Sequence, residues 1–223
     1  KSSFNSLANN PMYVGYMYGT SGTLASNRTN ENDSTIKGII DTWYSKNLSS
    51  YAKYLSKEAI YCNDREIGSG TYNLGSDMFT FASRSRLENK TPTYNCTNIK
   101  DAFSGSNSEA KLTYPIGLMT ADEIAYAGGV GKKNESMWYY TNGVHKASIP
   151  DYGWWTLSAD GYGSKTSVLA AAGGQSPYTF DATLVSDLFN NVRPVISLKS
   201  CVQWKSGDGS ASNPYEIVEN GGC

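Results

Sequence analysis

Apolar positions along the chain come in short runs, and only two stretches hold a helical period. Met12-Tyr13-Val14-Gly15-Tyr16-Met17-Tyr18-Gly19 collects aromatic and β-branched residues before a glycine stop and predicts an early strand. Thr20 to Asn32 is Gly, Ser, Thr and Asn, hence a loop. Ile36, Ile39, Ile40 and Trp43 then fall at i, i+3, i+4 and i+7, one apolar helix face behind an Asp33 or Ser34 cap. Lys37, Asp41 and Ser45 take the outside of that helix, and Trp43 is expected in the core. Tyr51 to Leu55 predicts a second short helical patch.

The segment 58–100 shows little periodicity apart from Met78-Phe79-Thr80-Phe81, and Lys100 to Glu109 reads as a polar loop. Lys111 to Met119 predicts a strand, with Pro115 favouring an edge or bulge. Thr120 with Glu123 three residues on is a capping box, and Gly128-Gly129 stops the helix after Ile124, Ala125 and Ala127. Helix-start chemistry accounts for Asp122 and Glu123 better than a catalytic carboxylate pair does. Trp138 to Thr141, Trp154 to Ser158, Ser167 to Ala171 and Val192 to Leu198 read as strands. Val202 to Trp204 and Tyr215 to Val218 flank Ser206-Gly207-Asp208-Gly209 as a terminal hairpin. No repeat and no linker divides the chain, so a single α+β domain over 1–223 is expected, two helices against antiparallel strands.

Composition shifts the picture outward from the cell. Charged residues are 17%, while Tyr numbers 17 and Trp 5 against only 6 Phe, so the surface is polar through hydroxyls and amides. Net charge is −1 with scattered basic residues, which argues against nucleic acid. Four cysteines form no CxxC and lie near no histidine. Their order points to the pairs Cys62–Cys96 and Cys201–Cys223 among three connectivities. The first would hold 58–100 as an excursion, the second would close a hairpin over 201–223. Two bridges imply an oxidising compartment. Lys1-Ser2-Ser3 reads as a trimmed start, so an extracellular or cell-surface chain would carry its signal or anchor upstream.

Catalytic motifs are missing. The one histidine, His145, cannot build a metal cluster. GxSxG, GxGxxG and P-loop patterns are lacking, and no cofactor is expected. Asp208, Asn213 and Glu216 do not fit calcium-loop spacing, so a tight turn is expected there. Arg193 before Pro194 is expected to pair with a carboxylate or stack on a tryptophan. Trp154 and Trp155 must point to opposite faces of their strand.

Four motifs in order, Tyr114-Pro-Ile-Gly-Leu-Met-Thr-Ala-Asp-Glu-Ile-Ala-Tyr-Ala-Gly-Gly129, Gly153-Trp-Trp-Thr-Leu-Ser158, Val192-Arg-Pro-Val-Ile-Ser-Leu198 and Ser206-Gly-Asp-Gly-Ser-Ala-Ser-Asn-Pro-Tyr215, resemble an uncharacterised bacterial domain frequent in gut Firmicutes. That domain occurs on exported or prepilin-like proteins. The Trp-Trp-x-x-Ser and Arg-Pro-Val pieces also resemble the C-type-lectin-like fold of formylglycine-generating-enzyme-like domains. The resemblance implies two main helices on twisted antiparallel sheets, with the termini close together. The reactive Cys pair of those enzymes and a Glu-Pro-Asn sugar motif have no counterpart here.

The expected function is therefore non-catalytic: an adhesin-like, ligand-binding domain of a bacterial surface protein, taking a protein or glycan ligand. Its binding surface is expected on loops between Ala159 and Asn191, through Tyr152, Trp154, Asp160, Tyr162, Gln175, Tyr178 and Asn190. The alternative is the soluble head of a type IV pilin or pseudopilin-like subunit in a pilus or surface assembly.

Overall fold

A computed structural model of the chain describes residues 1–129, 153–171, 180–210, 212–219 and 223. Near the start, Pro11 fixes its own φ and lacks an N–H, which suits the first position of a turn better than a strand. Pro11–Val14 is accordingly a 3-10 turn, with the Asn10 side chain accepting from the Met12 N–H at 3.0 Å. The strand expected over 12–19 shrinks to β1, Met17–Tyr18, paired with β2, Asn32–Asp33. Between them α1, Leu24–Asn27, is held by a Thr23–Ser26 capping box.

The helix α2, Thr35–Asn47, starts where expected, its Ser34 cap accepting from the Lys37 N–H. Its buried face differs from the apolar count. Ile36, Lys37, Ile40 and Tyr44 are buried, whereas Ile39 is 42% and Trp43 43% exposed. Lys37 goes inside because its ammonium sits between Asp33 at 3.2 Å and Asp41 at 2.7 Å, leaving the apolar stem to pack. Tyr44 takes the place expected for Trp43 and stacks on Tyr114, ring centroids 4.7 Å apart. The patch after it is a 3-10 turn, Ser49–Tyr54.

The middle segment is more structured than its pattern implies. It supplies β3, Tyr61–Cys62, β4, Ile67–Ser69, β5, Phe79–Phe81, and α3, Ala82–Asn89. The expected polar loop holds a 3-10 turn at Ile99–Asp101 and the buried strand β6, Ala102–Phe103, which pairs with β3. Of the strand expected over 111–119, only β7, Gly117–Leu118, is formed. Gly117 lies against the Tyr61 ring so closely that a Cβ would stand 2.6 Å from it. The Thr120–Glu123 capping box opens α4, Ala121–Ile124, as predicted, and a π-turn over Ala125–Gly129 follows.

The last third contains β8, Trp154–Tyr162, β9, Thr166–Ala171, β10, Phe180–Leu184, and β11, Pro194–Val195, which pairs with β7. The main sheet is antiparallel in the order β10-β9-β8-β5-β4. All nine residues of β8 are buried, because the strand is covered on both faces. Trp155, Leu157 and Ala159 enter the apolar core, where Trp155 meets Phe4 edge-on at 5.9 Å. The intervening Thr156, Ser158 and Asp160 are buried but bonded. Thr156 donates to the Leu169 carbonyl at 2.6 Å and Ser158 accepts from the Ala121 N–H at 2.8 Å. Burial of such groups is tolerated only with partners. Ser83 of α3 also donates to the Ala159 carbonyl.

A second, polar core joins the early and middle segments. Arg65 is 1% exposed and uses every donor of its guanidinium. Nε meets Asp101 at 2.6 Å, and the two terminal nitrogens reach the carbonyls of Met17, Asn27 and Lys100 and the Asn30 side chain at 3.0–3.1 Å. Arg28 adds a second cation to Asp101 at 3.1 Å. Asn63 ties the Val14 and Leu157 carbonyls and the Tyr16 N–H together.

The fold class is α+β with antiparallel sheets and two disulfides, Cys62–Cys96 and Cys201–Cys223. The terminal hairpin is β12, Trp204–Ser206, with β13, Glu216–Ile217. Phe4 accepts from Ile36 at the start of α2, whereas Ser197 and Lys199 pair with Ser56 and Tyr54 beyond its end.

Candidate functional site

The Cys62–Cys96 bridge fastens the extended stretch around Thr93–Cys96 beside β3, and α3 and α4 approach from the other side. The result is a cleft of about 190 Å³. Its floor is an ion cluster. Arg86 of α3 forks onto Asp122 at 2.8 and 2.9 Å and reaches Asp64 at 2.7 Å. The Asp122 side-chain bond is the chief cause that raises the Arg86 pKa, so the guanidinium stays charged. Thr93 N–H donates to Asp122 at 3.0 Å, which ties the cleft wall to the same carboxylate.

Glu123 spends its carboxylate on the helix start, accepting from Thr120 N–H at 2.7 Å. The helix-start reading thus holds for Glu123, whereas Asp122 turns to Arg86. The rim is apolar and aromatic. It carries Ile60, 55% exposed, and Tyr94, 68% exposed, while Tyr126, 49% exposed, stands beside it against Tyr94 without lining the cleft. Tyr94 and Tyr126 stack with centroids 4.3 Å apart and planes 13° apart, and the Tyr126 hydroxyl is anchored on the Pro92 carbonyl at 2.8 Å. A volume of 190 Å³ lies below the roughly 300 Å³ of small-molecule pockets. It suits a single ring or side chain of a larger ligand. The cleft thus sets fixed polar groups beside a stacked pair of aromatic rings.

The residues expected to bind ligand are placed elsewhere. Trp154, Asp160, Tyr162 and Asn190 are 4%, 7%, 4% and 6% exposed. They do not form an open surface, because β8 runs four residues past Ser158 and turns the expected loop into sheet. Trp154 lies under the Arg193 guanidinium, 3.9 Å from its ring centroid. Asp160 takes Arg84 at 3.2 Å and the Ser167 hydroxyl at 2.8 Å. Tyr162 packs on Phe79, and the Asn190 carbonyl accepts from Ser2. Tyr152, Gln175 and Tyr178 fall outside the described residues, as do His145 and the strand expected at 138–141.

Most of the cleft, from Ile60 to Cys96, comes from the segment with least periodicity, and Thr120, Asp122, Glu123 and Ser158 complete it. The legible signals were Cys62 and Cys96 themselves, which bracket the carboxylate and guanidinium of Asp64 and Arg86. Among the described residues, no group of three or more His, Cys, Asp or Glu is arranged to hold a metal ion. No helix among them is long and apolar enough to cross a membrane. No family model, curated protein or solved structure matches the chain.

Proposed function

We propose that the protein is an extracellular, adhesin-like recognition domain with a C-type-lectin-like arrangement, binding a protein or glycan at a cell surface without catalysis. The observation that carries this reading is the exposed Tyr94–Tyr126 stack above the Asp64–Arg86–Asp122 cluster. Aromatic faces present contact area at low entropy cost, and the ion cluster beneath keeps its polar atoms in fixed positions. Helices against a central antiparallel sheet support the lectin-like part, and the two disulfides support an oxidising compartment. A glycan and protein-ligand array tests it, with Tyr94→Ala and Tyr126→Ala beside Trp204→Ala as an exposed control. The first two variants lose the ligands that the parent and the control retain. Ligands retained by all three would discard the cleft as the binding site.

A second reading, the soluble head of a pilin-like subunit, is favoured by one feature, the C-terminal hairpin closed by Cys201–Cys223. An apolar stretch of ~20 residues encoded upstream of Lys1 is its test. A cleavable signal sequence there, with no such anchor, would count against it.

A further inference from the structure

A second groove, of about 630 Å³, shares no lining residue with the cleft. It lies where the segment after α2 meets the segment leading to the terminal hairpin. Lys53, Lys57 and Lys199 line it together with the Ser56 and Ser200 positions and one acidic residue, Glu58. Three ammonium groups less one carboxylate leave +2 there, in a chain whose formal net charge is −1.

The framework that brings these cations together is fixed. Ser56 N–H donates to the Ser197 carbonyl at 2.8 Å and Lys199 N–H to the Tyr54 carbonyl at 2.9 Å, on either side of a Leu55–Leu198 bridge. Lys57 is held from the other side by the Gly105 N–H at 2.8 Å. Cys201, bonded to Cys223, forms the end of the groove. The side chains are exposed, and among the described residues neither Lys57 nor Lys199 has a carboxylate within 4.0 Å.

We infer that this groove is a binding site for an anionic polysaccharide, a glycan chain carrying repeated carboxylate, sulfate or phosphate groups. Like charges gathered on a rigid frame attract a polyanion and gain by neutralisation. A concave trough fits a chain better than the plane of a bilayer, and the two disulfides favour an oxidising compartment, in line with the extracellular reading proposed above, on which the choice of a polysaccharide rests.

The probe is heparin, with uncharged dextran as its counterpart, measured on the whole chain by titration at low and high salt. The parent binds heparin over dextran, and binding weakens steeply with salt. Lys53→Gln/Lys57→Gln/Lys199→Gln weakens binding roughly tenfold or more, since three exposed charge contacts are removed. Lys90→Gln/Lys111→Gln/Lys165→Gln removes the same charge elsewhere and changes binding by less than about twofold. Thermal unfolding of both variants establishes that each is folded. The proposal is overturned if folded parent protein binds heparin no better than dextran, or if the two triple variants lose binding equally. Tighter binding to single-stranded DNA or to phosphatidylglycerol vesicles than to heparin would overturn it as well.

Discussion

Arg65 and Asp101 stand 36 residues apart in sequence and are each 1% exposed, joined by a 2.6 Å contact from Nε to Oδ1. Their backbones meet too, Arg65 N–H donating to the second Asp101 oxygen at 3.0 Å. Removing one partner leaves an unpaired charge in the interior. Arg65→Ala is expected to destabilise the fold by about 3–5 kcal/mol. Asp101→Asn is expected to cost a similar amount, because the amide keeps the shape but both Arg65 and Arg28 lose their counter-charge. Urea unfolding midpoints check both values.

The orientation of α2 makes neighbouring residues unequal. Tyr44 is 2% exposed and stacked on Tyr114, while Trp43 is 43% exposed. Tyr44→Ala is expected to cost about 3–5 kcal/mol, as large aromatic truncations in cores do. Trp43→Ala should change stability by less than about 1 kcal/mol, in line with surface substitutions. Thermal unfolding of the two variants, compared side by side, reads the difference. Equal losses would return Trp43 to the core.

The two disulfides have separable duties. Cys62→Ser/Cys96→Ser opens a loop of 34 residues and costs about 4 kcal/mol by the chain-entropy model. It also frees the wall carrying Tyr94, so cleft binding falls with stability. Cys201→Ser/Cys223→Ser opens 22 residues and costs about 3 kcal/mol, leaving cleft binding unchanged. Unfolding curves and the array described for the tyrosine variants distinguish them.

Acid is expected to loosen the terminal hairpin. The Ser210 N–H holds the Asp208 carboxyl below its usual range, and Lys205, then Ser206, do the same for Glu216. Both folded values lie below the unfolded ones. Their contribution is present above the ordinary carboxylate range near about pH 4 and is lost as pH falls through the folded values. Amide protection factors at Ser210 and Val218, followed from pH 6 downward, should fall there first. Unchanged protection across that window would contradict the assignment.

Local rules made part of this protein legible. Ser34 and the Thr120–Glu123 box fixed helix starts because a cap depends on residues within one turn. Cys order identified both bridges, and the Asp208 turn located the hairpin. Arg193 was expected on a carboxylate or a tryptophan, and it lies over Trp154. An apolar count misplaces the face of α2 because it puts every lysine outside, while Lys37 finds two carboxylates one turn away on either side. The full length of β8 is not legible in the pattern, because Ser158 and Asp160 look like loop residues until α3, α4 and β9 supply their partners.

The sequence by itself determined the class of the fold, the helix starts and the cross-links, all of which rest on composition, short spacing or pairing order. Only the tertiary structure decided which side chains face inward and where an open surface remains. Arg65 reads as an ordinary surface cation until Asp101, Asn30 and three distant carbonyls surround it. Tyr94 and Tyr126 read as two isolated tyrosines until a disulfide and a helix bring them ring to ring. Burial and exposure are set by non-local partners, and those partners are brought together only when the chain closes on itself.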